Sequence, residues 1–247
     1  MLFKKKKKVS EIGKIIVGDG TKRENEGYSR LKDNILYLNA DGANKVIQVE
    51  SAVLGEGKTT TICNLAVSLG LTDKKVIVVD LDFKRPKVHR IFNLGKENGI
   101  AEYILQGKPL DEIIKQTEYK NVEVITRGAE IYNSSLVFIS EKFKSFIKDL
   151  REKYDYVLLD CAPVLLISDY IHISKVSDGV LFIAAHGQTS KSQAAEAVKE
   201  LKKNGANILG AVFTMYDSKK SGYYGLGYYR RYSYAYEDNE QEIEKKE

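Results

Sequence analysis

Four short stretches concentrate residue types that can work on phosphate. The first, SAVLGEGKTTT at 51–61, fits the phosphate-loop pattern G-x-x-x-x-G-K-[ST], with Ala52 at the first glycine position and Gly57, Lys58 and Thr59 intact. Gly55 and Gly57 allow backbone N–H groups to curl around phosphate oxygens, and a helix starting there offers its positive end. The run Gly55, Glu56, Gly57, Lys58, Thr59 and Thr60 is therefore the expected nucleotide-binding segment, with Lys58 on the β and γ phosphates and the Thr59 hydroxyl on Mg²⁺. The second and third stretches, VIVVDLDFKRP and YDYVLLDCAPV, place Asp80, Asp82 and Asp160 directly after apolar runs. Carboxylates there can hold a metal shell or accept a proton. Any one of them could instead be a helix cap. Three at one sheet edge favour a metal and phosphate site. The fourth stretch, GYYGLGYYRRYSYAYED at 222–238, carries seven of the sixteen tyrosines: Tyr223, Tyr224, Tyr228, Tyr229, Tyr232, Tyr234 and Tyr236. They alternate with Gly, Arg and Ser, so no core periodicity can bury them.

Positioning these residues requires a particular architecture. Tyr28, Leu31, Ile35 and Leu38 mark one face of a helix over 24–39, followed by a strand VIQV at 46–49. A helix with Ile62, Leu65, Ala66 and Leu69 then leads to the strand VIVV at 76–79. Short helices run to about 120, and VEVI at 122–125 is the next strand. Phe143, Phe146, Ile147 and Leu150 mark a helix before YVLL at 156–159. GVLFIA at 179–184, a helix with Ala194, Val198 and Leu201, and the strand ILGAVFT at 208–214 complete the series. Strands this apolar, separated by helices, predict an α/β fold: a mostly parallel central sheet flanked by helices, of the P-loop NTPase kind. Ligands of such sheets sit at the carboxyl ends of the strands, where all three carboxylates fall.

The chain has 247 residues, 43% of them apolar and 30% charged, an ordinary globular composition. Three segments are expected: a basic N-terminal segment 1–22, a nucleotide-binding domain 23–215, and a flexible tail 216–247 with the tyrosine cluster. The acidic end EDNEQEIEKKE is expected to be disordered. Cys63 and Cys161 are far apart in apolar surroundings, which argues against a disulfide framework and for a reduced, cytoplasmic protein. No apolar run approaches the roughly 20 residues that span a bilayer. The net charge of +5 includes Lys4 to Lys8, behind Leu2 and Phe3. Such a run is either a solvated terminus or an anchor for an anionic membrane face or an acidic partner.

These motifs together resemble the bacterial tyrosine kinases, in particular the stand-alone cytoplasmic kinase of the Gram-positive capsule and exopolysaccharide type. The resemblance runs from E-G-Y-S-R-L-K-D-N at 26–34, through the phosphate loop, the D-x-D of Asp80 and Asp82 and the YVLLDCAPVLLISD segment, to the tyrosine cluster. It implies an ATP- and Mg²⁺-dependent kinase that autophosphorylates the seven tail tyrosines and regulates polysaccharide synthesis. Carried over, Lys58 and Thr59 are the phosphate and Mg²⁺ ligands, Asp80 accepts the tyrosine proton, Asp82 supports metal or base, and Asp160 belongs to the metal shell. Four further features are implied: recruitment to the inner membrane face, a membrane adaptor that activates the enzyme, a cognate tyrosine phosphatase, and ring-like self-association. For the last, the family's E-x-x-R-x-x-R helix motif keeps Glu26 but has Ser29 and Lys32, and serine cannot replace a bidentate arginine. The family's Asn-Pro-rich segment is replaced by EIYNSSLVFIS at 130–140.

Two alternatives share parts of this pattern. Partitioning and division-site ATPases have the same fold but carry a signature lysine where Val53 stands, and they lack a tyrosine tail. A nucleic-acid-binding tail would use tyrosine stacking and arginine on phosphate. Nucleic acid is not an expected partner, because basic residues are not spread over a folded face with aromatics.

Overall fold

The computed structural model describes residues 13–216, and the seven tail tyrosines lie outside that range. The chain forms two units, Met1–Thr214 and Met215–Glu247, and the elements below belong to the first. Six strands follow the apolar runs: β1 (Val46–Ser51), β2 (Val76–Asp80), β4 (Val122–Ile125), β5 (Tyr156–Asp160), β6 (Gly179–Ala185) and β7 (Ile208–Thr214). A two-residue strand β3 (Lys115–Gln116) pairs antiparallel with β4, giving the order β3-β4-β2-β5-β1-β6-β7 with all other pairs parallel. Its two residues carry no alternation from which a strand could be read.

The helices are α1 (Lys22–Leu38), α2 (Lys58–Gly70), α3 (Val88–Ile91), α4 (Leu110–Ile113), α5 (Ser134–Ile139), α6 (Glu141–Lys153), α7 (Tyr170–Ile173) and α8 (Lys191–Lys203), with a π-helical turn at Glu102–Gln106. Thr21 starts α1 with a capping box to Glu24, and Ser190 starts α8 with one to Gln193. The period of two in the strands divides the core between the two sheet faces. Val76 and Val78 face α2 through Ile62, Leu65 and Leu69. Ile77 and Val79 face α5 and α6 through Phe138, Phe143, Phe146 and Leu150. Burying each of these aromatic rings contributes about 2–3 kcal/mol. Ala197 and Leu201 of α8 cover Val180 and Phe182 of β6.

Part of the basic N-terminal segment is built into this body. Asn64 of α2 accepts from the backbone N–H groups of Ile16 (2.6 Å) and Val17 (3.2 Å) and donates to the Lys14 carbonyl (3.0 Å). Among the described residues, no helix is long and apolar enough to cross a membrane.

Candidate functional site

β1 runs out at Ser51 into the glycine loop, and α2 begins at Lys58. Gly55 (φ +81°) and Gly57 (φ +87°) take left-handed conformations that L-residues rarely adopt, and this bends the loop back over the helix N-terminus. Lys58 is only 7% exposed, and its Nζ donates to Ser51 Oγ (2.9 Å), which in turn donates to the Val53 carbonyl (2.9 Å). Glu56 lies in the expected nucleotide-binding run, but its side chain is wholly buried. One carboxylate oxygen accepts from Val53 N (2.6 Å), and the other is bonded by the Thr189 hydroxyl. Its carbonyl accepts from Thr214 Oγ1 (2.7 Å), and Gln188 Nε2 holds the Leu54 carbonyl (2.5 Å). What Glu56 can offer a phosphate is therefore its backbone N–H, while its carboxylate braces the loop. Thr60 Oγ1 lies against Gly13, on the side of α2 covered by the N-terminal segment.

Ser51, Gln188, Thr189 and Thr214 complete this brace, and local sequence pattern does not reveal them. The available signal is their position, since all four stand at or just beyond the carboxyl ends of β1, β6 and β7.

Parallel pairing brings the carboxylates together. Asp80 and Asp160 are register partners across β2 and β5, and Asp160 stands opposite Val49 of β1. Both are buried, and each keeps one carboxylate oxygen, Oδ1, without a hydrogen-bond partner. Asp80 Oδ2 accepts from the N–H groups of Lys87 (3.0 Å) and Val88 (3.1 Å). Asp82 Oδ1 accepts from Arg85 N (2.9 Å). Burial, then the neighbouring Asp160 charge, holds Asp80 well above the usual carboxylate range. Burial also pushes Asp160 up to about 7, although the Lys58 ammonium and the Thr59 hydroxyl draw it down.

Two buried carboxylates with orphaned oxygens form an incomplete arrangement that a cation completes. Among the described residues, no group of three or more His, Cys, Asp or Glu side chains is gathered to hold a metal ion. Mg²⁺ asks for fewer, because it keeps several waters and takes one or two carboxylates beside substrate phosphates. The orphaned oxygens and the adjacent Thr59 hydroxyl fit that ion.

A glycine loop capping a helix, with acidic strand ends beside it, defines a P-loop nucleotide-binding domain, and residues 44–210 match the family model described as AAA domain. The chain belongs to the bacterial tyrosine kinases. It is 31% identical over 204 residues to tyrosine-protein kinase YwqD of Bacillus subtilis (strain 168), covering 83% of this chain and 85% of that one. The crystal structure of the chimerical protein CapA2B2 is similar to it with a TM-score of 0.77 and 28% identity, over 81% of this chain and 88% of that chain. The septum site-determining protein MinD from Pyrococcus horikoshii OT3, complexed with Mg-ADP, shares the fold alone, with a TM-score of 0.61 and 24% identity over 72% of each chain. The enzyme accordingly transfers the γ-phosphate of ATP to tyrosine.

Proposed function

We propose that this kinase uses Mg-ATP to phosphorylate the tyrosine cluster at its own C-terminus, and that it regulates capsular or exopolysaccharide synthesis together with a membrane adaptor. The observation that carries the mechanism is the pairing of Asp80 with Asp160, each with an orphaned buried oxygen, beside Lys58. Bound Mg²⁺ would neutralise charge on the transferring phosphate, held by Thr59 and Asp160 with Asp82 in support. Lys58 leaves Ser51 for the β and γ phosphates, and the loop N–H groups cradle them. A tyrosine hydroxyl, with an ordinary pKa of about 10, is a poor nucleophile at neutral pH. Asp80 takes its proton as the phenolic oxygen bonds to the γ-phosphorus and the bond to the departing ADP oxygen breaks.

The resemblance extends the proposal to recruitment at the inner membrane face, reversal by a cognate tyrosine phosphatase, and self-association through pairs other than those at Ser29 and Lys32. The partitioning-type alternative hydrolyses ATP without marking tyrosine.

Incubating the purified chain with Mg-ATP and mapping phosphate by mass spectrometry separates the two readings. Phosphate on the cluster supports the kinase reading, and hydrolysis without phosphotyrosine overturns it. Lys58→Met keeps most of the buried bulk and removes the charge, so a folded protein without phosphotyrosine is expected. Wild-type levels in this variant would dismiss Lys58 from its role. Asp80→Asn keeps an acceptor for the Lys87 and Val88 N–H groups but loses proton affinity. Transfer should fall by about 10²-fold or more while nucleotide affinity changes less. Equal losses in both would make Asp80 a metal ligand rather than the base.

A further inference from the structure

Cations surround the loop that leaves β2 past Asp80 and Asp82. Lys84, Arg85 and Lys87 are exposed on the loop between β2 and α3, Arg90 is exposed on α3, Lys96 is exposed beyond it, and Arg127 is half-buried after β4. Arg127 Nη1 donates to the Phe83 carbonyl (3.1 Å), which fixes its guanidinium beside the loop that carries Asp82. The Lys87 charge bears on Asp160, and the charges of Arg90, Arg127 and Lys96 bear on His89, with Glu97 the one acid acting on that histidine against them. None of the six cations forms an ion pair with a described carboxylate. A rim of this kind draws in anionic peptide and repels cationic peptide over roughly a Debye length, about 8 Å at physiological salt.

The seven cluster tyrosines differ in the charge they bring to that rim. Tyr228, Tyr229 and Tyr232 flank Arg230 and Arg231, whereas Tyr234 and Tyr236 lead into Glu237, Asp238 and Glu240. We propose that the Lys84, Arg85, Lys87 and Arg127 rim selects acceptor tyrosines followed by acidic residues, so that Tyr236 and Tyr234 are phosphorylated before Tyr228, Tyr229 and Tyr232. This rests on the reading of the cluster as acceptor. The same rule names the class of outside substrate, a tyrosine with acidic residues on its C-terminal side. It also gives modification a direction. Each phosphotyrosine adds about −1.5 to −2 of charge, so a modified Tyr236 or Tyr234 makes Tyr232 a better ligand for the rim. Phosphorylation then spreads from Glu237 toward Gly222.

The test is a quenched time course of the full chain with Mg-ATP, reading occupancy at each tyrosine in the same molecules. Exposed pairs contribute about 0.2–1 kcal/mol each, so two or three of them should make the initial rate at Tyr236 about three- to tenfold that at Tyr228. The ratio should approach one in about 0.5 M salt, where the Debye length falls to a few ångströms. Lys84→Glu with Lys87→Glu should invert it, and Glu237→Lys with Asp238→Lys on an unaltered rim should abolish it. Because the ratio is internal, a general loss of activity in a variant does not imitate either result. Equal rates in the wild type, or a ratio that neither charge reversal moves, overturns the selection rule while leaving the cluster as acceptor. ATP turnover with phosphate on none of the seven tyrosines overturns the acceptor reading and the rule with it.

Discussion

Glu50 stands one residue before Ser51, and its carboxyl is buried completely. Gln48 Nε2 donates to Oε1 at 2.6 Å while Oε2 has no partner, and Gln48 is itself held by the hydroxyls of Ser174 (3.0 Å) and Ser177 (3.2 Å). Burial pushes Glu50 up to about 8, against the pull of Gln48 and Lys58. An ordinary glutamate loses its proton near 4.3. Between those two values the unfolded chain gives up this proton and the folded chain keeps it. Ionisation therefore works against folding, and the stability linked to Glu50 is lost as pH rises from about 4.5 through 8. Asp80 and Asp160 slope the same way, so the comparison that isolates Glu50 is wild type against Glu50→Gln. Below about pH 4, where folded and unfolded chains both keep the proton, the two should melt alike. At pH 8.5 the variant should be more stable, by on the order of one to a few kcal/mol. Melting curves that keep the same offset at both values would show that Glu50 ionises without consequence for the fold.

At the scale of elements, one ion pair joins three of them. Arg151 near the end of α6 reaches Asp178 just before β6 through two bonds, Nη1 to Oδ2 (2.9 Å) and Nη2 to Oδ1 (2.6 Å). The same Oδ2 accepts from Val46 N at the start of β1 (2.7 Å). Arg151→Lys keeps the charge and loses the fork. The arginine side chain is 37% exposed, so the cost is discounted for solvent to about 1 kcal/mol. It should appear as a lower urea midpoint with unaltered phosphorylation per folded molecule. An unchanged midpoint would mean that a single ammonium serves equally well. Elements such as these were legible to different degrees in the sequence. Five of the six longer strands announce themselves as apolar runs that are almost wholly buried, and β7 at the sheet edge is legible from its apolar run although it is only partly buried. The glycine loop stands out because its spacing is fixed by chemistry. The short helix α5, inside EIYNSSLVFIS, buries only Ser134, Val137 and Phe138, too few turns for a period to emerge. Nor could the buried Gln48 and Glu50 be anticipated, since Ser174 and Ser177, the hydroxyls that hold Gln48, lie 126 and 129 residues further on. The bracing role of the Glu56 side chain is hidden for the same reason, because its partner Thr189 is 133 residues away.

The whole molecule carries a formal net charge of +5. Seven phosphotyrosines would add roughly −10 to −14 and take it to about −5 to −9. If copies of the chain present their clusters to one another's sites, full modification crowds like charges between subunits, and the assembly should loosen. Light scattering before and after Mg-ATP treatment checks this. Wild type should lose particle mass, while a variant with Tyr→Phe at all seven positions should bind ATP and stay assembled. Equal mass before and after full phosphorylation would rule out charge-driven release. A different kind of communication is built into the other end of the chain. Asn64 grips the backbone at Lys14, Ile16 and Val17 from the second turn of the helix that the phosphate loop opens into, and its Nδ2 also donates to the Thr60 carbonyl (2.8 Å). One amide thus knots the entering chain to the first turn of the nucleotide-binding helix. A pull on the chain ahead of Lys14 would therefore reach the first turn of that helix through a single side chain, which makes Asn64 the knot at which the terminus and the phosphate loop share one line.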